Sequence, residues 1–223
     1  MVTINLFFSL PGKRGPSCLI PMDIAFLLDS SDGAGKAGFK REKEFTKLVS
    51  SALALTVTGT RVGVISYSAR ANLTVALQEN TTAQSLQSAI DELQFMGGTP
   101  RIEMALESVL TDLFTLDGGA RPGIPKVAVL LTKVSGSNVL RYDTLRKAAA
   151  PLKTEGVELI AVGVGRDSDL QDLRVLVGSE EHILGTESFE SLSELVEDVT
   201  LLACKAAGKR TLQNPSLYDT LKV

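Results

Sequence analysis

The chain has 223 residues, 44% of them hydrophobic, no tryptophan, and a formal net charge of −3. That length suits one α/β domain with a few residues to spare at each end. Slight acidity argues against a nucleic-acid binder, which would show a basic face. No apolar run approaches the ~20 residues of a membrane helix, so no membrane span is expected.

Taken from the start, Ile4 to Leu10 is a short apolar stretch without a basic lead or a small-residue cleavage site, so no secretion leader is legible. Pro11-Gly12-Lys13-Arg14-Gly15-Pro16 has glycines three apart. It reads either as a Pro/Gly linker or as the end of a collagen-like tract. Residues 1–21 are therefore assigned to a linker. Asp23 to Leu28 is a continuous apolar run, the mark of a strand covered on both faces. Phe45, Leu48, Val49, Ala52 and Leu53 recur at helical spacing between Phe39 and Leu55. Arg61 to Tyr67 and Ala71 to Leu77 read as two strands close enough to pair as an antiparallel edge hairpin.

A helix is expected over Thr82 to Leu93, capped by Thr81 or Thr82. Gly97-Gly98-Thr99-Pro100 breaks the chain before a second helix striped by Ile102, Ala105, Leu106, Val109, Leu110 and Leu113. Lys126 to Thr132 is a second buried strand, Tyr142 to Glu155 a helix, and Glu158 to Val164 a third buried strand. A short helix over Asp169 to Val177 and a short strand over His182 to Leu184 follow. A closing helix built on Phe189, Leu192, Leu195, Val196, Val199 and Leu202 ends the domain at Cys204, and residues 205–223 read as a polar tail. The fold class is α/β: a doubly wound, mostly parallel sheet with one antiparallel edge strand and helices on both faces. In such folds ligands sit at the carboxyl ends of the strands, so the loops after Leu28, around Thr99 and after Thr132 are the ones to inspect.

Two cysteines, Cys18 and Cys204, fall at the two edges of the domain. They read either as one disulfide closing almost the whole chain or as two unrelated buried thiols. A disulfide would place the protein in an oxidising compartment. The sequons Asn72-Leu-Thr74 and Asn80-Thr-Thr82 point the same way, as glycosylation candidates.

Asp23-Ile-Ala-Phe-Leu-Leu-Asp29-Ser-Ser31 resembles the opening strand and metal-site loop of von Willebrand factor type A domains. Gly97-Gly98-Thr99 is similar to the second loop of that family, Gly123 to Thr132 to its central strand, and Glu158 to Gly165 to the strand after it. The resemblance covers residues 22–204, which are assigned to the domain. It implies an extracellular adhesion or matrix module, secreted, whose partners are matrix proteins such as collagens. It also implies a metal-ion-dependent adhesion site, in which Mg²⁺ is held by Asp-x-Ser-x-Ser, a loop Thr and a second Asp. Asp29, Ser31 and Thr99 match that set, but Gly33 offers no side-chain oxygen and Lys133 stands at the second Asp. A lysine ammonium near a divalent cation is repelled. No metal is therefore expected, and Asp29, Ser31 and Thr99 are the ligands that would remain if Mg²⁺ bound, with Asp32 as a further oxygen from a shifted loop. Two arrangements are open for Asp29: an ion pair with Lys133 where the metal would have been, or capping of backbone amides while Lys133 points to solvent. Arg101, Lys133 and Arg141 on the loops above the sheet are candidate contacts for acidic partners.

Gly33-Ala-Gly35-Lys-Ala-Gly38 is a literal G-x-G-x-x-G between a strand and a helix, and it carries the alternative reading, a nucleotide- or cofactor-binding enzyme. Against it, the strand ending at Ser66-Tyr67-Ser68 lacks the acidic residue that would hold a ribose. His182, the one histidine, reads as a surface or strand-end residue, and no Gly-x-Ser-x-Gly elbow accompanies it. Arg41, Glu42, Lys43 and Glu44 read as a solvated mixed-charge helix face. The sequence therefore points to a binding module without a cofactor and without catalysis.

Overall fold

The computed structural model describes residues 7–8, 17–56, 58–78, 82–134, 142–166, 170 and 173–213. In chain order they form strands β1 (Phe7–Phe8), β2 (Ser17–Cys18) and β3 (Asp23–Asp29), helix α1 (Gly35–Ser51), and strands β4 (Arg61–Tyr67) and β5 (Ala71–Val75). Helices α2 (Ala83–Asp91) and α3 (Ile102–Ser108) follow, then β6 (Lys126–Lys133), α4 (Tyr142–Thr154), β7 (Val157–Val164), β8 (Ile183–Thr186) and α5 (Val196–Gln213).

The main sheet has six strands in the order β5-β4-β3-β6-β7-β8, with β5 antiparallel to β4 and the other pairings parallel. This is the doubly wound α/β fold, and the antiparallel edge is the hairpin expected after Tyr67. Every residue of β3 is buried, which is why Ile24 to Leu28 is an unbroken apolar run rather than an alternation. The period-2 geometry divides the strand residues between two cores. Ile24, Phe26, Leu28, Val62, Val64, Val127, Val129 and Leu131 pack toward α1 and α5. Ala25, Leu27, Ile65, Tyr67, Ala128 and Leu130 pack toward α3 and α4.

Several elements differ from the sequence expectation. Helix α1 begins at Gly35 rather than Phe39, and Gly38 lies inside it against the ring of Phe189, where an added Cβ would fall 2.8 Å from a ring carbon. The G-x-G-x-x-G is thus a helix start and a helix-packing glycine, not an open cradle. Thr82 caps α2, its Oγ1 accepting the Ser85 N–H (3.2 Å). Helix α3 passes into a π-helical turn over Val109–Leu113, so the expected stripe continues with a changed winding. Within the expected helix over Asp169 to Val177, residues 173–175 form a 3-10 turn. Residues Phe189–Leu195 are also 3-10, and α5 continues past Gly208 to Gln213 with Ala206, Ala207 and Thr211 buried. What read as a polar tail therefore supplies the last turns of a core helix. In the assigned linker, β1 and β2 pair as a small antiparallel ladder. Cys18 and Cys204 are joined in a disulfide with Cα atoms 5.7 Å apart, stapling β2 to α5.

Candidate functional site

Asp29, Tyr67 and Lys133 end β3, β4 and β6 at the same edge of the sheet. The loops leaving β3 and β4, with the end of β6 and the 94–101 segment, form the strand-end face. Backbone and hydroxyl bonds fix it: the Ser30 N–H donates to Tyr67 O (2.8 Å), the Met96 N–H to Ser30 Oγ (2.7 Å) and the Gly97 N–H to Ser30 O (2.8 Å). The Asp32 N–H donates to Gly98 O (2.8 Å), and the Arg101 N–H to Ser68 O (2.9 Å). Gly97 and Gly98 take φ of +71° and +91°, a left-handed turn in which the Gly-Gly pair carries no Cβ penalty.

Asp29 is fully buried at the centre of this face. Its Oδ1 accepts the Ser31 N–H (3.0 Å) and its Oδ2 the Lys133 N–H (3.4 Å), so Lys133 contributes its backbone amide. The Lys133 side chain is exposed and Asp29 accepts from its backbone amide, so of the two arrangements the structure has the amide capping, with the lysine charge a smaller influence on Asp29. The Asp29 N–H itself donates to Glu42 Oε2 (2.6 Å). Glu42 is completely buried on α1, not on a solvated face, and its Oε1 has no protein partner. The α-helical period turns Lys40, Arg41, Lys43 and Glu44 outward while Glu42 points under the β3 terminus.

Two carboxyls thus share one buried site, and both are shifted toward the neutral form. Burial raises Asp29, partly opposed by its bonds from Ser31 and Lys133. Burial and then the neighbouring Asp29 charge push Glu42 well above the usual carboxylate range. Glu42 is the more strongly raised of the pair: one N–H donates to it, and Asp29 has two. The Tyr67 hydroxyl is also raised well above its ordinary value by burial and by these carboxyls, and it donates to Leu131 O (2.8 Å).

Ser31 lies beside Asp29, buried, with its Oγ unpartnered by protein. Gly33 follows it, placed so that an added Cβ would fall 3.3 Å from Ser31 Oγ. Thr99 is on the same face and exposed. Asn72 lies on β5, and Asn80 and Arg141 lie outside the described residues. His182 is at the opposite part of the sheet, in a 3-10 turn before β8, and it is buried rather than superficial (7% exposed). Its Nδ1 stands 4.0 Å from Glu158 Oε2. Glu42 was not legible as a site residue, since its one signal was a charge on the apolar side of the helix, one turn before Phe45 and Thr46.

A family model described as von Willebrand factor type A domain matches residues 23–198, most of the chain. The chain belongs to this family. Among its relatives, the Xenopus laevis von Willebrand factor A domain-containing protein 2 is 30% identical over 91% of the chain and 26% of its own length. Human matrilin-3 is 29% identical over 78% of the chain and 36% of its own length. The mouse collagen alpha-6(VI) chain is 30% identical over 82% of the chain and 8% of its own length. The chain therefore spans a minor part of each. Among solved structures, proximal thread matrix protein 1 from the mussel byssus superposes with a TM-score of 0.77 at 27% identity, over 84% of this chain and 48% of that one. A second structure of that mussel protein has a zinc occupied MIDAS motif; it gives a TM-score of 0.72 at 28% identity, over 84% of this chain and 47% of that one. These relatives make the chain an extracellular-matrix module, secreted and of the adhesion class. Among the described residues no helix is long and apolar enough to cross a membrane.

Proposed function

We propose that this domain is a non-catalytic matrix module whose strand-end face binds an acidic segment of a matrix partner, collagens included, without a bridging metal. The observation that carries the reading is the state of Asp29. Both of its oxygens are engaged by backbone N–H groups, where a metal ligand would present them to the cation. Gly33 supplies no oxygen, and Lys133 brings a cation to the rim instead of a second carboxylate. The residues present do not fit an octahedral Mg²⁺ site, which needs oxygens at each position. Zinc in the mussel relative belongs to that protein's own loop.

The rim is basic. Arg70, Arg101 and Lys133 are exposed around the buried Asp29, with Glu103 held by Arg101 (2.9 Å). Cations so placed attract an acidic partner and set its association rate more than its final affinity. Both cysteines are closed in the disulfide. The alternative of a cofactor enzyme is disfavoured by Gly38, whose missing side chain is taken up by Phe189.

The test is binding of the secreted domain to immobilised matrix proteins, fibrillar collagens and type VI collagen among them, with Mg²⁺ and with EDTA. Equal binding in both, lost with Arg101→Glu and Lys133→Glu together, supports the reading. Binding abolished by EDTA refutes it.

A further inference from the structure

We propose that Asn72 carries an N-linked glycan whose first sugars lie in the groove between β5 and the 92–97 segment, over the β4–β5 face of the sheet. The proposal rests on the secreted location and not on how the strand-end face binds.

Among the described residues β5 is the edge strand of the six-stranded sheet, paired with β4 alone. Along β5 the side chains alternate. Ala71 and Leu73 pack on the core. Asn72 and Thr74 face a groove of about 980 Å³, lined also by Ser66, Leu93, Phe95 and Met96. That volume lies near the top of the ~300–1,000 Å³ range that holds compact ligands.

Three features of this groove suit a covalently attached sugar. First, Asn72 Nδ2 meets only the Met96 thioether, at 3.9 Å. A thioether is a weak acceptor, so replacing one N–H by a glycosidic bond gives up no strong hydrogen bond. Second, the wall joins Leu93, Phe95 and Met96, which fit the C–H face of a pyranose, to Ser66, Ser68 and Gln94, which fit its hydroxyl and acetamido groups. Ser66 Oγ is buried and has no protein partner. Third, Asn72 and Thr74 form the acceptor sequon Asn-Leu-Thr, and Thr74 Oγ1 donates to Val64 O (2.9 Å) in the folded protein.

The transfer itself precedes folding. Asn72 Nδ2 forms a bond to the anomeric carbon of an oligosaccharide carried on a lipid pyrophosphate. The bond from that carbon to phosphate oxygen breaks, the pyrophosphate leaves with the electron pair, and Nδ2 gives up one proton. Folding then brings the 92–97 segment against the first sugars.

The experiment expresses the chain through a mammalian secretory pathway, as wild type, Thr74→Ala and Thr74→Ser. Serine keeps both the sequon and a hydroxyl for Val64 O; alanine loses both. Peptide mapping before and after peptide N-glycosidase reads occupancy at Asn72, and amide hydrogen exchange reads protection. The expected result is occupancy in wild type and Thr74→Ser, none in Thr74→Ala, and exchange at residues 71–75 and 92–97 faster by about threefold once native wild type is enzymatically deglycosylated. An unmodified Asn72 in secreted wild type overturns the site. Occupancy with exchange unchanged on deglycosylation overturns the seating in the groove.

Discussion

Replacing Glu42 with glutamine should change how stability depends on pH. In the folded chain Glu42 is buried with Oε2 on the Asp29 N–H, and burial with the Asp29 charge holds it well above the ordinary carboxylate range. In the unfolded chain it titrates near the usual value of ~4.3. Above that value the folded state keeps a proton that the unfolded state has released, so wild-type stability falls as pH rises toward the folded pKa. One retained proton gives a limiting slope of about −1.4 kcal/mol per pH unit. The glutamine amide oxygen keeps the bond from the Asp29 N–H and has no proton to lose, so that slope disappears. Its NH₂ enters a site where Oε1 has no protein partner, at a cost of about 1–3 kcal/mol. The variant should therefore be the less stable near pH 4.5 and gain on wild type with each step upward. Asp29 is raised too and contributes a slope of the same sign, but to both proteins, so it leaves the difference largely intact. Urea melts of both proteins from pH 4.5 to 8 measure the effect. Curves parallel to within about 0.3 kcal/mol, the scatter of independent sites, would show that Glu42 ionises normally and that the buried-pair reasoning is wrong.

Reduction of the Cys18–Cys204 bond, or Cys18→Ser with Cys204→Ser, releases a loop with a sequence separation of 186, worth about 5 kcal/mol on the loop-entropy model; denaturant melts with and without reductant should show most of it, and a loss under about 1 kcal/mol counts against the entropic account. Arg121→Ala leaves fully buried Asp23 without the guanidinium that now holds its Oδ1 at 2.6 and 2.9 Å, which should cost about 3–5 kcal/mol in urea melts. Because this pair lies at the amino ends of the strands, partner binding at the other end should be unchanged, and a selective loss of binding would contradict that placement. Lys133→Ala keeps the amide that Asp29 accepts, so stability should change by less than about 0.5 kcal/mol; a loss above 2 kcal/mol would mean that the ammonium is paired after all. Wild type should bind Mg²⁺ more weakly than about 1 mM, roughly 4 kcal/mol, whereas Gly33→Ser with Lys133→Asp should bind measurably by calorimetry, since the new side chain starts 3.3 Å from Ser31 Oγ; tight binding by wild type would refute the metal-independent reading.

The sequence by itself determined the order of strands and helices, because strands buried on both faces must be continuous apolar runs and β3, β6 and β7 are such runs. It also placed Asp29, Ser31, Gly33, Thr99 and Lys133 on one face, since loops at the carboxyl ends of parallel strands gather there whatever their composition. Chain ends were less legible: Ala206, Ala207 and Thr211 look like a polar tail until the sheet they cover is present. Only the tertiary structure decided what the site residues do. Lys133 offers either an ammonium or a backbone amide from the same position, and the β6 register selects the amide. Glu42 sits among four charged residues in sequence, and it is the β3 terminus beneath α1 that takes it out of water. Gly38 matches a phosphate motif locally but is fixed by Phe189, far along the chain. Asn72 meets a groove only because β5 is an edge strand and the 92–97 segment passes beside it. In each case burial and partner choice depend on atoms distant in sequence, which local pattern does not encode.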